Sequence, residues 1–358
     1  MKIAVIGAGY AGTLAANRLA RKVKTADITL INPRTDFVER VRLHQQLAGS
    51  GTAATPLTAM LRDGINTHLG TVDKIGDGTL GLDDGTRIDF DYAVLAVGST
   101  VTPMPGTVPI GIWEGAERAR TALAGLPEGS TVTVIGGGAT GIETAAEIAG
   151  ARPDIRVRII GSSVAGGFSE GAHERVRSGL QRLHVDIVDD DVTEVTAGTG
   201  EYDGVVQLRS GTALTSDLTL WAIVSDVPEL ATRSGLATDL NGRVIVDEYL
   251  RSITDERIVA AGDCAAVPGS RMSCYNAQPQ GTHAAETVAR MITGRNPKPY
   301  SWSYVARAVT LGRNDAVLQL THRDDTLRRT YFTGRPAVVL KELTSRGGKF
   351  NSRSGGLG

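Results

Sequence analysis

Short apolar runs that end in glycine and pass into helical periodicity recur along this chain. Residues 3–6 form one such run. It leads into Gly7-Ala8-Gly9-Tyr10-Ala11-Gly12, then into Ala15, Ala16, Leu19 and Ala20 at helical spacing. Residues 132–135 form another. It leads into Gly136-Gly137-Gly138-Ala139-Thr140-Gly141, then into Ile142, Ala145, Ala146 and Ile148 on one face. A second apolar strand follows each helix, at 27–31 and at 157–160. The pattern predicts two strand–turn–helix–strand units.

The two halves match again downstream. Residues 82–96 and 208–222 both read as strand, glycine turn, strand, then an acidic residue entering a buried strand. Gly85 stands 78 positions beyond Gly7, and Gly211 stands 75 beyond Gly136. This order predicts an α/β chain with two Rossmann-like dinucleotide-binding domains, each carrying a β-meander. Pro103, Pro105 and Pro109 break the chain between the halves. Near Asn241-Gly242 it returns to the first, through the buried run 257–261 and Gly262-Asp263, with a helix at 281–292. The expected boundaries are 1–103 with 242–296 for the first domain and 104–241 for the second. A small C-terminal α+β domain at 297–346 is expected to hold strands at 306–311, 316–321 and 328–332 and a helix at 337–343. The Gly/Ser-rich tail 347–358 reads as disordered.

In a Rossmann turn the first glycine permits the bend and the second admits a pyrophosphate. The third lets helix and strand pack closely. The helix N-terminus then faces the phosphates with free N–H groups. Two such turns point to two dinucleotides and electron transfer between them.

Composition narrows the setting. Net charge is −1, which does not point to nucleic acid as a main partner, and none is expected. The two cysteines, Cys264 and Cys274, form neither a disulfide framework nor a zinc site, and no metal site is expected. No apolar run reaches the roughly 20 residues that span a bilayer. The N-terminus enters a strand without a signal-peptide pattern. A cytoplasmic monomer or homodimer is expected. The basic residues Lys341, Arg346, Lys349 and Arg353 leave open a weak peripheral contact with the cytoplasmic membrane face.

The two glycine loops, Leu95-Ala96-Val97-Gly98-Ser99 and Ala260-Ala261-Gly262-Asp263 together resemble the two-dinucleotide flavoproteins, which include the pyridine nucleotide-disulfide oxidoreductases. Within them the chain most resembles the type II NADH dehydrogenases and the apoptosis-inducing-factor-2-like branch. The stretches 37–44, 277–281, Gly312-Arg313 and Thr333-Gly334-Arg335 carry that likeness. The resemblance implies FAD in the first domain and NADH or NADPH, as co-substrate, in the second. Gly7, Gly9, Tyr10, Ala11, Gly12, Asn32, Arg42, Val72, Ala96, Gly98, Gly262, Asp263 and Gln278 would contact FAD. Gly136, Gly138, Ala139, Thr140, Gly141, Glu143 and Ser162 would contact NAD(P). Glu143 would stand near the nicotinamide, Gln278 and Gln280 would border the flavin and acceptor, and His44 would offer a proton beside the flavin. Trp221 and Trp302 read as packing residues.

The departures shape the expected chemistry. Relatives that reduce disulfides carry a CxxxxC pair near residues 42–51, and this chain has no cysteine there. Electrons are therefore expected to pass directly from flavin to an acceptor, quinone-like or another small molecule. The usual ribose carboxylate is replaced by Asn32 in the first domain and Gly161 in the second, which leaves NADH and NADPH both open. Ile223-Val224-Ser225 departs from the family's nicotinamide site. That departure keeps two alternatives: a biosynthetic flavoenzyme acting on a small metabolite, and a non-enzymatic NAD(P)H redox sensor.

Overall fold

The computed structural model of the chain describes residues 1–356. Its first sheet is wholly parallel, in the order Ile258–Ala260, Tyr92–Leu95, Lys2–Ile6, Asp27–Asn32, Ile65–Leu69. Ile3, Val5 and Ile6 are buried at its centre, as the unbroken apolar run requires of a strand covered on both faces. The first strand ends at Gly7, in the left-handed region at φ 100°. The first loop helix, Tyr10–Lys22, starts three residues later. Residues 258–260 complete this sheet, so the chain does return to its first unit.

The second sheet repeats the plan: Val108–Pro109, Leu218–Trp221, Thr131–Ile135, Arg156–Gly161, Asp186–Asp189, again all parallel. Its loop helix is Ala139–Ala151. Each unit carries a three-stranded antiparallel meander: Val72–Ile75, Thr79–Leu82 and Arg87–Asp89 in the first, and Val192–Ala197, Gly204–Leu208 and Ala213–Ser216 in the second.

A third sheet, Ala306–Thr310, Ala316–Thr321 and Leu327–Thr333, lies on the second unit. Val309, Leu311 and Val317 join the apolar core that includes Ile142, Ala145 and Ala146 of the second loop helix. A C-terminal helix, Gly334–Ser354, then crosses the molecule. Its Ala337 packs on Ala316 and Leu318 of the third sheet. Its far end rests on the first loop helix, where Asn17 Nδ2 donates to the Ser352 carbonyl at 2.8 Å and Arg18 Nη1 to the Gly355 carbonyl at 3.1 Å.

This helix overturns the expectation of a disordered tail over 347–358. Glycine costs a helix about 1 kcal/mol relative to alanine. Here burial outweighs that cost: Gly348 faces the Gln278 amide, Ser352 is fully buried, and Gly355 closes the helix in the left-handed region at φ 76°. Leu357 and Gly358 lie outside the described residues. The helix expected at 281–292 also begins earlier, running over Cys274–Ile292 from a Ser273 cap whose hydroxyl accepts the Asn276 amide proton. Pro279 sits inside this return helix and marks a false start in the sequence. Trp302 is not a packed residue: it is 47% exposed and tilts against Tyr275 at 5.7 Å. Among the described residues no helix is long and apolar enough to cross a membrane.

The return helix and first loop helix cross at Gly281, where a Cβ would lie 2.7 Å from the Ala11 Cα. Gly9, by contrast, faces open space. Gly281→Val is therefore expected to lower the unfolding free energy by about 1–3 kcal/mol through overpacking. Gly9→Ala should change it by less than about 0.5 kcal/mol. Chemical denaturation of the two variants checks this contrast.

Candidate functional site

Leaving Gly137 aside, the other six of the seven loop glycines divide into two kinds. A side chain on Gly12 would strike the Gly7 carbonyl, and one on Gly141 would strike that of Gly136. These four glycines shape the turns. Gly9 and Gly138 have no atom within reach of a Cβ, and each caps its loop helix with no side-chain acceptor on the first-turn N–H groups. The first-turn donors around Tyr10, Ala11, Ala139 and Thr140 are thus unclaimed by capping side chains and suit a pyrophosphate. Asn32 stands at the end of the second strand. Its Oδ1 accepts the Ala8 amide proton at 3.1 Å and its Nδ2 donates to the Arg34 carbonyl at 2.7 Å, so it braces the first loop. Ala96 backs Gly7, while Val72 is buried in the apolar core of the first unit, away from the cavity described next.

A cavity of about 1090 Å³ runs between the three units. Gly136, Gly138, Ala139, Thr140, Gly161 and Ser162 line one end. Tyr10, Arg40, His44, Ser99 and Asp263 line its middle. Val305, Leu318, Leu320, Phe332 and Leu340 form an apolar limb. The Asp263 carboxylate accepts the Ser99 hydroxyl at 2.6 Å. Arg40 in turn donates to Ser99 Oγ at 2.8 Å and to the Gly111 carbonyl at 2.7 Å, tying the first unit to the second just past its edge strand Val108–Pro109. Tyr10 stacks edge-on against Phe37 at 5.1 Å, and burial holds its phenol well above the ordinary tyrosine range.

Arg42 does not take the place expected for it beside the flavin. The short turn Arg40–Arg42 sends Arg40 into the cavity and Arg42 out towards the C-terminal helix. There Arg42 pairs with Glu39 at 3.3 Å and Glu342 at 2.8 Å. Gln280 is also displaced from its expected role at the acceptor. It is buried, its Oε1 accepts the Gly262 amide proton at 2.7 Å and its Nε2 donates to Ser270 at 2.9 Å. It stiffens the Gly262-Asp263 turn from behind, since it lies one face round the return helix from Gln278. Gln278 itself lines the cavity. Gly98 sits in a left-handed turn at φ 71° near Arg40.

Glu143 is the centre of a buried cluster. Its carboxylate accepts the Thr310 amide proton at 2.9 Å and the Thr310 hydroxyl at 3.0 Å, and it pairs with Lys341 of the C-terminal helix. His44 Nδ1 stands 3.9 Å away. Burial, then the charges of Lys341, Arg313 and Arg42, push His44 well below the ordinary histidine range, so it is neutral, and its Nε2 has no partner. Burial and Arg42 push Lys341 down to about 7. Glu147, one turn beyond Glu143, bridges units through Arg313 at 2.8 Å. Lys341 and Arg40 were not legible as site residues. Nothing in the local pattern separates Lys341 from the surface cations around it.

The two thiols are not placed for exchange. Cys264 is buried against the Leu95 and Ala261 carbonyls, and Cys274 lines the cavity. Burial raises them to about 11 and about 12, and the helix Leu43–Leu47 has no cysteine.

Residues 1–281 match the model of the pyridine nucleotide-disulphide oxidoreductases. The chain belongs to this family. It is 28% identical to an NADH dehydrogenase-like protein of Mycobacterium tuberculosis, across 95% of this chain and 92% of that one. It is 27% identical to ferroptosis suppressor protein 1 of Taeniopygia guttata, with the same shares covered. In structure it is similar to the sulfide:quinone oxidoreductase of Aquifex aeolicus, with a TM-score of 0.81 and 20% identity over 99% of this chain and 92% of that one. The chain is an NAD(P)H-dependent oxidoreductase that works with FAD.

Removing one member of a buried ion pair costs about 3–5 kcal/mol, because the survivor stays buried and unmatched. Lys341→Met should lose that much in urea denaturation at about pH 6, below the lysine's titration, and less above pH 7. Glu143→Gln combined with Lys341→Met should recover more than half of it. Equal losses in the single and double variants would show that the pair is not coupled.

Proposed function

We propose that this chain takes hydride from NADH or NADPH and hands the electron pair to a quinone-like or other small planar acceptor. One observation carries the reading. A single cavity touches the second glycine loop, the Ser99–Asp263 pair and an apolar limb, and no reactive thiol lies along it. FAD, when bound, supplies the hydride-accepting and two-electron chemistry.

The protein's part is placement. Gly7, Gly9, Tyr10, Ala11 and Gly12 hold the flavin nucleotide's pyrophosphate. Ala96, Gly98 and Gly262 shape its path, and Asp263 takes the ribityl hydroxyls while Ser99 and Arg40 fix that carboxylate's orientation. Gly136, Gly138, Ala139, Thr140, Gly141 and Ser162 hold the nicotinamide nucleotide. Gln278 borders the acceptor. The limb from Val305 to Leu340, whose Val305, Phe332 and Leu340 side chains are open to solvent, offers an apolar surface to an incoming ring.

Reduction of a quinone also consumes protons. Lys341 lines that limb and exchanges a proton near neutrality. Glu143, His44, Arg42, Glu342 and Arg313 surround it. Below pH 7 its ammonium form can donate; above pH 7 the amine cannot. The rate of acceptor reduction should therefore fall as pH rises through about 7. In the Glu143→Gln, Lys341→Met double variant the rate should be lower by about 10²-fold or more and lose that dependence.

Stopped-flow mixing tests the main reading. NADH or NADPH should bleach the visible flavin band under anaerobic conditions. Menadione should then restore it at least ten times faster than oxygen does. Failure of both nucleotides to bleach the flavin would remove the oxidoreductase step. Recovery with oxygen alone would remove the quinone-like acceptor.

A further inference from the structure

The strand Arg156–Gly161 ends where this architecture usually presents a carboxylate to the adenosine ribose. No side chain can stand at that point. A Cβ on Gly161 would lie 2.6 Å from the Gly137 amide nitrogen. The neighbouring strand supplies the negative charge instead. Asp186–Asp189 runs parallel beside it, with Asp189 opposite Gly161. The chain continues into Asp190 and Asp191, and both line the cavity with Gly161 and Ser162.

The three aspartates have different surroundings. Asp189 accepts the Val164 amide proton at 3.0 Å and pairs with Arg177 at 2.8 Å, which holds the 162–165 loop against the glycine loop. Asp191 pairs with Arg209 at 3.2 Å. Asp190 donates its own amide proton to the Gly161 carbonyl at 3.1 Å. Its carboxylate accepts the Asp191 amide proton at 2.7 Å and the Ser210 amide proton at 3.3 Å. These hydrogen bonds, with the Ser210 hydroxyl foremost, hold it below the usual carboxylate range. Arg177 and Arg209 are thus each matched by an aspartate, and Asp190 adds a negative charge beside Gly161 and Ser162 on the cavity wall.

We propose that Asp190, backed by Asp191, makes this protein select NADH over NADPH. The inference rests on the second glycine loop holding the nicotinamide nucleotide. A free ribose 2′-hydroxyl can donate a hydrogen bond to a carboxylate. A 2′-phosphate brings up to two negative charges to an edge that already carries one. Each close like-charge contact in a water-exposed setting weakens binding by about five- to tenfold.

Calorimetric titration of the FAD-loaded protein with ADP-ribose and with its 2′-phosphate tests this without turnover. The protein should bind ADP-ribose at least about tenfold more tightly. Asp190→Asn and Asp190→Ala should close most of that gap by strengthening the phosphorylated probe, with ADP-ribose affinity held within about threefold. Flavin reduction by NADPH should rise in parallel in both variants. Equal affinities in the unaltered protein would overturn the inference, as would an unchanged ratio in both variants. If neither probe binds, the siting on the second loop falls with it. If both bind alike, the siting stands and only the selectivity falls.

Discussion

The Glu143–Lys341 pair is the contact on which the arrangement of the site depends. Glu143 sits in the first turns of the helix that follows the second glycine loop, and Lys341 comes from the C-terminal helix. Thr310, from the third sheet, donates twice to the same carboxylate oxygen that faces Lys341. A buried charge without a partner is costly, so the three elements must stay together once the chain has folded. The C-terminal helix is also fixed at its other end, through Ser352 and Gly355 on the first loop helix. Held at both ends, it forms a wall that neither dinucleotide unit could supply alone.

Against that wall the two Rossmann-like units act as a matched pair. In each, a glycine at the helix start leaves clear space above open N–H groups, while two others let the backbone fold tightly on itself. Open donors collect phosphate; tight turns fix where it lies. The cavity reaches the second loop at Gly136 and Gly138, and the first loop helix at Tyr10. The Arg40–Ser99–Asp263 chain of hydrogen bonds, with Arg40 also on the Gly111 carbonyl, adds a second tie between the first unit and the second.

Much of this was legible in the sequence because it follows from backbone demands. Glycines at fixed offsets after apolar runs placed both loops, and their repetition placed the meanders. The unreadable parts depend on contacts far apart in the chain. A helix was expected at 337–343, but its continuation past 346 looked disordered because Gly347, Gly348 and Gly355 disfavour a helix in isolation; the faces that stabilise it belong to Gln278, Asn17 and Arg18. Pro279 hid the true start of the return helix, whose cap at Ser273 is an unremarkable serine in sequence. Arg40 and Arg42 are two residues apart, and only the turn between them decides which one reaches the cavity. A low proton affinity at Lys341 has no local signal at all, because burial by other elements produces it.

Fold alone does not choose a reaction. The family whose model matches this chain is named for disulphide chemistry, so the choice must lie in the few side chains facing the cavity. A relay through sulfur needs a thiolate, and thiolate formation needs a polar, cationic setting. Cys274 has the wrong setting: burial and the nearby Asp263 charge both favour the neutral thiol, outweighing Arg40. The helix where a dithiol could stand reads Leu43-His44-Gln45-Gln46-Leu47, and its histidine is held neutral. An electron pair arriving there has no covalent partner in the protein. It has an apolar limb, with a lysine beside it whose proton affinity burial has lowered. That arrangement supports the proposed acceptor, which takes electrons and protons together, and is poorly suited to thiol–disulfide exchange.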